Sequence, residues 1–457
     1  MNGSVHERAG ALMTRLGREH RRPEAMAEVL AGMVAARADD HGARLALAAC
    51  QWAMGQYRAA VAEYRVLLAA HPRDGQLGYA LGRALVQTGA PGEGEALLRA
   101  TAAAMPAHAE AQAWWGMALM ALRRQAEALG PLGAALRLRP AEKLWHMARA
   151  EALLALGRWE EGWAEHAWRW QGVSPGRLRV PAAPLVRPDP GAWAGRTVLL
   201  YAEQGHGDTL QCLRYVSMAV ASGARVVLEV QPALVRLARG MAGVAVIAAG
   251  EAVPEHDLAV PMFHLPWAFG TTVEAVPPGG PYLSADPGLA VRWRGRLAGL
   301  PGLKVGLVWA GEPRPEDPAA LATDRRRSMP LAALAPLGAV AGVSFVSVQT
   351  GVAGRQAVPP GLVLHDWTAE LGDFSETAGL MTGLDLVVSV DTAPAHLAGA
   401  LGREVWLLNR FDTCWRWLLD RQDSPWYPTL RQFRQAWPGD WEGVVSRVAA
   451  ALAERVR

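Results

Sequence analysis

The feature that most constrains this chain is a fixed period in its first third, where Pro72, Pro106 and Pro140 stand 34 residues apart. Ala48, Gly82, Gly116 and Ala150 keep that register, as do Ala60, Gly94, Ala128 and Gly162, with Met54, Thr88, Leu122 and Leu156 between them. A period of this length fits one helix-turn-helix unit. Each pair leaves an apolar face unburied, so stacked neighbours supply the core, and small residues let helix backbones cross closely. Gly82, Gly116 and the periodic prolines exclude a heptad coiled coil.

The small residues at the crossings, with proline where the second helix stops, resemble the tetratricopeptide repeat. The resemblance implies an α-helical solenoid over residues 1–171 that recruits a protein or peptide partner. Residues 8–38 read as a degenerate first repeat, with Pro23 standing where Tyr57 stands one period later, followed by three good repeats. The array is expected to end near Gln171. There Trp159, Trp163, Trp168 and Trp170 form either a capping helix or a binding surface.

Residues 172–195 carry Pro175, Pro181, Pro184, Pro188 and Pro190, which excludes regular helix and marks a linker. From Arg196 the pattern changes kind. The runs TVLLY, RVVLEV, VAVIAA and DLAVP alternate with helical stretches at about Gly207 to Ala221 and Ala233 to Met241. After a Pro-rich segment from Pro277 to Pro287 a second set follows: KVGLVWA, VSFVSVQ, LVLHD, LDLVVSV and EVWLLN, with helices near Leu331 to Leu337, Phe374 to Thr382 and Ala393 to Leu401. Such alternation is the signature of doubly wound parallel sheets. Two Rossmann-like lobes are expected, 196–286 and 287–457, with a cleft between them. Ligands of open α/β sheets bind beyond the carboxyl ends of strands, so the residues after TVLLY, KVGLVWA, VSFVSVQ and LDLVVSV are the ones to examine.

Composition narrows the function classes. At 457 residues and 51% hydrophobic content the chain can build two or three cores. A net charge of +3 gives no basic stripe for nucleic acid, and the one tight basic run is Arg325-Arg326-Arg327. Cys50, Cys212 and Cys414 lie far apart without C-x-x-C spacing, which suggests neither a zinc site nor a disulfide framework. The first ten residues, MNGSVHERAG, lack the basic and apolar regions of a signal peptide, and every apolar stretch is broken short of a membrane span. The chain is therefore read as cytoplasmic.

Two strand-to-helix turns could carry chemistry. After TVLLY comes Glu203-Gln204-Gly205-His206-Gly207-Asp208, whose glycines allow a ligand close to backbone. Asp208 either complements the helix dipole, worth roughly 0.3–1 kcal/mol, or acts chemically. After LDLVVSV comes Asp391-Thr392-Ala393-Pro394-Ala395-His396, a helix start whose free N–H groups suit a diphosphate. Trp309 and Gln349, at the ends of KVGLVWA and VSFVSVQ, either meet a nucleotide or serve as a core tryptophan and a strand-end glutamine. The loops Arg410 to Trp417 and Asp423 to Pro428 are rich in aromatics and Arg; packing against the neighbouring lobe is favoured over stacking on a sugar or base.

The string GHGDTLQ, paired with SVDTAPAHLAGALG some 180 residues later, resembles the heptosyltransferase-like glycosyltransferases of family 9, which have the GT-B fold. GLVWAGEPRPE, DRRRSMPLAAL, VSVQTG and DWTAELGDFSETAGL are similar to that family's C-terminal lobe. With the repeats, the architecture resembles O-linked N-acetylglucosamine transferase and flagellin glycosyltransferases. The resemblance implies metal-independent transfer from a nucleotide sugar to a hydroxyl, with no cofactor. It makes Asp208 the general base, with Gly205, His206, Gly207 and Gln211 on the acceptor side. Thr392, Ala393 and His396 become the donor phosphate turn, and one of Arg325, Arg326 or Arg327 faces the leaving group. Ala393 replaces the family's usual Gly. In that fold the last helix, about Trp441 to Arg457, returns to brace the first lobe. The expected function is glycosyl transfer to a protein recruited by the repeats. The alternatives are a non-catalytic repeat protein on a degenerate GT-B scaffold, and a glycolipid-directed enzyme, against which the repeats weigh.

Overall fold

The computed structural model describes residues 4–19, 22–171, 185–277, 280–314 and 317–457. The chain divides into two compact units, Met1–Ala152 and Leu153–Arg457.

The first unit is a stack of helix pairs: α1 (Val5–Glu19) with α2 (Pro23–Ala36), α3 (His41–Ala53) with α4 (Tyr57–Ala70), α5 (Gly75–Gln87) with α6 (Pro91–Ala104), and α7 (Ala109–Ala121) with α8 (Gln125–Leu138). The first helices of successive pairs begin at residues 41, 75 and 109, the 34-residue period made physical. α9 (Lys143–Ala155) and α10 (Trp159–His166) keep the register. The turns before α3 and α5 are capped by side chains: Asp40 accepts from the Ala43 N–H at 3.0 Å and Asp74 from the Gln76 N–H at 2.9 Å. Pro72, Pro106 and Pro140 each follow a helix end by two residues. Gly82 and Gly94 show why the crossings are small, since a Cβ on Gly94 would lie 2.8 Å from the Gly82 carbonyl. The degenerate first repeat is a true helix pair, with Pro23 at the first position of α2, where its missing N–H costs nothing.

The second unit holds two parallel sheets. The first is built from β1 (Thr197–Tyr201), β2 (Arg225–Val230), β3 (Val244–Ala248) and β4 (Leu258–Pro261) in the order β3-β2-β1-β4. The second is built from β5 (Leu303–Val308), β6 (Val343–Ser347), β7 (Leu364–His365), β8 (Leu386–Val390), β9 (Val405–Asn409) and β10 (Leu430–Arg434) in the order β10-β9-β8-β5-β6-β7. Its central strands are buried on both faces, as parallel strands require. Leu386, Val388 and Val390 join a cluster with Leu331, Leu337, Val444 and Leu452, while Val387, between them, faces a second cluster. That second cluster runs without a break from Val198 and Leu228 of the first sheet through Leu210 and Leu397 to Leu407.

The helices around the sheets are α11 (His206–Cys212), α12 (Val216–Ala221), α13 (Val235–Ala238), α14 (Leu265–Ala268), α15 (Pro287–Leu297), α16 (Pro318–Arg327), α17 (Phe374–Thr382), α18 (Ala393–Ala400) and α19 (Trp441–Arg455). Four sequence expectations need correction. The helix expected from Gly207 to Ala221 is broken by a 3-10 turn at Leu213–Tyr215, where the Arg214 side chain donates to the Gln211 carbonyl at 3.0 Å. The Ala233 to Met241 stretch shortens to α13 after a 3-10 turn at Pro232–Leu234. Leu331–Ala339 is a 3-10 helix, with Pro336 inside it. The last helix, α19, packs through Val444, Val448 and Leu452 onto the second sheet's own core and not onto the first sheet.

Residues 172–184 of the expected linker, with Pro175, Pro181 and Pro184, lie outside the described residues. Pro190–Trp193 forms a 3-10 turn, and Trp193 is buried edge-on to Phe269. Trp159 and Trp163 of α10, weighed above as a cap or a binding surface, are buried core residues of the second unit, so they present no binding surface. Trp159 stacks on Trp426 at 4.8 Å, and Trp163 meets Trp415 at 5.0 Å.

Candidate functional site

The carboxyl end of β1 leads into Gly205, which precedes α11. The third helical residue is Asp208, whose Oδ2 accepts the Gly205 N–H at 2.8 Å, so the carboxylate caps its own helix. Behind it Glu203 is almost fully buried and takes two hydrogen bonds from Arg169, from Nε at 2.7 Å and from Nη2 at 2.8 Å. Glu203 also accepts the Phe263 N–H at 3.1 Å, which ties the turn after β1 to the segment after β4.

The carboxyl end of β8 leads through Asp391 and Thr392 into α18, where Pro394 occupies the first turn. The two turns meet. A Cβ on Gly207 would lie 2.8 Å from His396 Cδ2 and 3.4 Å from Ala393 Cα, so the absence of a side chain at 207 is what lets α11 and α18 touch. His396 is buried, shares a 2.9 Å hydrogen bond with the Tyr427 hydroxyl and stacks on Trp417. Burial, with Arg416 adding to it, pushes its pKa down to about 3, so the ring is neutral. His206 lies half-buried against the Phe374 ring at 5.2 Å. Burial lowers its pKa against the opposing pull of Asp208.

Cations flank these turns. Arg327 Nη1 donates to the Asp391 carbonyl at 3.2 Å, and its Nε pairs with Asp324 at 3.1 Å. Arg416 donates from Nη2 to Asp208 Oδ1 and from Nε to Gln211 Oε1 at 2.7 Å. Burial opposes the charge of Arg416, but Cys414, Asp208 and Asp391 outweigh that and raise its pKa. Arg214, also buried, donates to the Trp426 carbonyl at 2.9 Å and lies 4.8 Å from the Tyr282 ring, bridging the two sheets' surroundings.

Of the expected residues, Gly205, His206, Gly207, Asp208, Gln211, Thr392, Ala393, His396 and Arg327 gather here. Thr392 is buried and spends its hydroxyl on the Val390 carbonyl at 3.2 Å. The Arg triplet stands at the end of α16. Its members diverge: Arg325 is exposed and Arg326 pairs with Asp412 at 3.0 Å, leaving Arg327 at the turn. Gln349 and Trp309 take the structural role weighed in the sequence. Gln349 Oε1 accepts the backbone N–H groups of Trp309 and Ala310 at 3.0 and 2.8 Å, and Trp309 is a core residue. The aromatic loop meets the expected lobe through Arg416, which lies over Phe263, but its Trp415 and Trp426 pack on Trp163 and Trp159 of α10, which the sequence places in the repeats. Sequence reasoning missed Arg416, Tyr427, Arg169 and Glu203. The first two lay in loops noted for their Arg and aromatic content. No group of three or more His, Cys, Asp or Glu residues able to hold a metal occurs among the described residues, and no helix there is long and apolar enough to cross a membrane.

No protein-family model matches the chain. Protein FlbA of Caulobacter vibrioides is 29% identical over 341 residues, which cover 68% of this chain and 55% of that protein, so this chain spans about half of its relative's length. Among solved structures, MamA AMB-1 is 25% identical over 36% of this chain and 94% of its own, at a TM-score of 0.31. MamA from Desulfovibrio magneticus RS-1 is 19% identical over 36% of this chain and 93% of its own, at 0.33.

Proposed function

We propose that this chain is a glycosyltransferase of GT-B architecture that moves a sugar from a nucleotide-sugar donor to a hydroxyl acceptor, which the helical repeats present as part of a protein. The observation that carries this reading is the meeting of two strand-to-helix turns from separate parallel sheets, Gly205 to Asp208 and Asp391 to His396, with Arg327 and Arg416 beside them. In this reading the α18 N-terminus and Arg327 hold the diphosphate. Asp208 takes the acceptor's hydroxyl proton as that oxygen bonds to the anomeric carbon. The bond from that carbon to the diphosphate breaks, and its electron pair leaves on the phosphate oxygen, stabilised by the same cation and helix dipole.

A second reading, a non-catalytic repeat protein on a retained scaffold, draws on two observations: Asp208 is ion-paired with Arg416, and Ala393 lies close against α11. Turnover separates the two. The purified chain is incubated with UDP-, GDP-, ADP- and CMP-sugars, with the soluble proteins of a cell lysate and water as acceptor hydroxyls, and nucleotide release is followed for wild type and Asp208→Asn. The transferase reading expects release from one donor class, reduced at least about 100-fold in the variant, as loss of a general base entails. Equal release by both proteins would remove Asp208 from the mechanism, and no release from any donor would favour the scaffold.

A further inference from the structure

Arg416 belongs to the loop after β9, yet its guanidinium is spent on α11 of the first sheet. Nη2 donates to Asp208 Oδ1, Nε to Gln211 Oε1 at 2.7 Å and Nη1 to Cys414 Sγ at 3.0 Å. The group lies 4.3 Å from the Trp415 ring centroid and 5.3 Å from that of Phe263, with only 11% of the side chain exposed. The other Asp208 oxygen is held by the Gly205 N–H. That second bond is local and forms whenever α11 forms. The bond to Arg416 joins residues 208 positions apart, so it exists only when the loop is seated. A guanidinium presents its donors in one rigid plane, and here it engages two α11 side chains one helical turn apart. The loop is seated by aromatic contacts, Trp415 on Trp163 and Trp426 on Trp159.

We propose that Arg416 is a positioning residue for glycosyl transfer: it fixes the plane of the Asp208 carboxylate from the loop after β9, so that the base is aligned only when the Trp415–Trp417 turn is docked on α11. The inference rests on Asp208 being the base, as proposed above. It differs from a donor-binding role, because Arg416 reaches the carboxylate and Gln211 and acts through them. Lysine cannot substitute, since an ammonium lacks the planar fork that spans both partners.

The test uses the full chain and nucleotide release from the donor it accepts, read as kcat and donor KM. Arg416→Ala is expected to lower kcat on the order of 100-fold, the cost of misplacing a reacting group by about 1 Å, with KM nearly unchanged. Added guanidinium chloride at sub-denaturing concentration restores much of that loss. It restores nothing when Asp208→Asn is also present. Arg416→Lys keeps the charge and stem yet stays slow; it carries the same comparison if the alanine variant fails to fold. A kcat equal to wild type, a loss confined to KM, or guanidinium rescue without Asp208 would each overturn the proposal. If wild type releases nucleotide from no donor, the transferase reading itself falls and takes this inference with it.

Discussion

The contact between Gly207 and His396 gives a sharp test of how the two turns are joined. In Gly207→Ala the added Cβ would lie 2.8 Å from His396 Cδ2, at least about 0.7 Å inside an optimal carbon–carbon contact. The imidazole has nowhere to swing, held by Tyr427 at 2.9 Å and stacked on Trp417 at 5.3 Å. α11 and α18 must therefore separate, and overpacking of this kind costs about 1–3 kcal/mol. Helix propensity acts the other way, favouring Ala over Gly by up to about 1 kcal/mol. The net expectation is a loss of roughly 1–2 kcal/mol, because the clash outweighs the propensity. Denaturant unfolding followed by tryptophan fluorescence suits the question, since 15 of the 19 tryptophans lie after Leu153. Combining the change with His396→Ala, which opens the space, should make the two losses sub-additive by about 0.5 kcal/mol or more. An alanine variant as stable as wild type, or more so, would refute the close approach of the two helices.

Three further outcomes follow from the same structure. Gln349→Ala leaves the buried N–H groups of Trp309 and Ala310 without their acceptor and should cost roughly 2–4 kcal/mol in denaturant unfolding, with nucleotide affinity of the folded protein unchanged. Arg169→Ala strands the buried Glu203 carboxylate, and a loss of about 3–5 kcal/mol is expected in the same assay; a loss under about 1 kcal/mol would mean that Glu203 does not depend on Arg169. Burial pushes His264 down to about 3 from an ordinary 6.5, so below pH 6.5 the unfolded chain binds a proton that the folded chain does not. Stability from this group is complete above pH 6.5 and is lost as pH falls toward 3. In His264→Gln the slope of unfolding free energy between pH 6 and pH 4 should flatten by about 1.4 kcal/mol per pH unit, and an unchanged slope would show that His264 does not titrate differently on unfolding.

Much of the scaffold was legible because its signals are local. The repeat follows from spacing alone, and strands buried on both faces read as largely apolar runs, as in LDLVVSV, where the buried Ser389 donates to the Val390 carbonyl. β10 escaped notice because LRQFR looks polar. Its Gln432 is buried only because Asn409 and the Trp417 carbonyl satisfy the side-chain amide. Pro336 did not by itself distinguish the stretch before β6 from an α-helix, since α8 carries Pro131 in its interior and stays α-helical. At the site, the turns at Asp208 and His396 could be read from strand, small residues and helix start. Their partners could not. Nothing in the sequence around Arg416 says that it reaches Asp208 and not a ligand, and nothing around Arg169 says that it meets Glu203. Gln349 was ambiguous for the same reason: a strand-end amide can face a nucleotide or satisfy neighbouring backbone, and only the fold decides.

Donor binding at the α18 turn is read by calorimetric titration of the chain with UDP, GDP, ADP and CMP, repeated with Arg327→Ala, whose fold is checked by its unfolding transition. The account predicts that one of these nucleotides binds wild type at micromolar concentration and that the variant loses at least about tenfold in affinity, as removal of a charge-assisted phosphate contact entails. Binding that Arg327→Ala leaves untouched would contradict the assignment of the α18 turn. The absence of binding by all four would contradict the donor site itself.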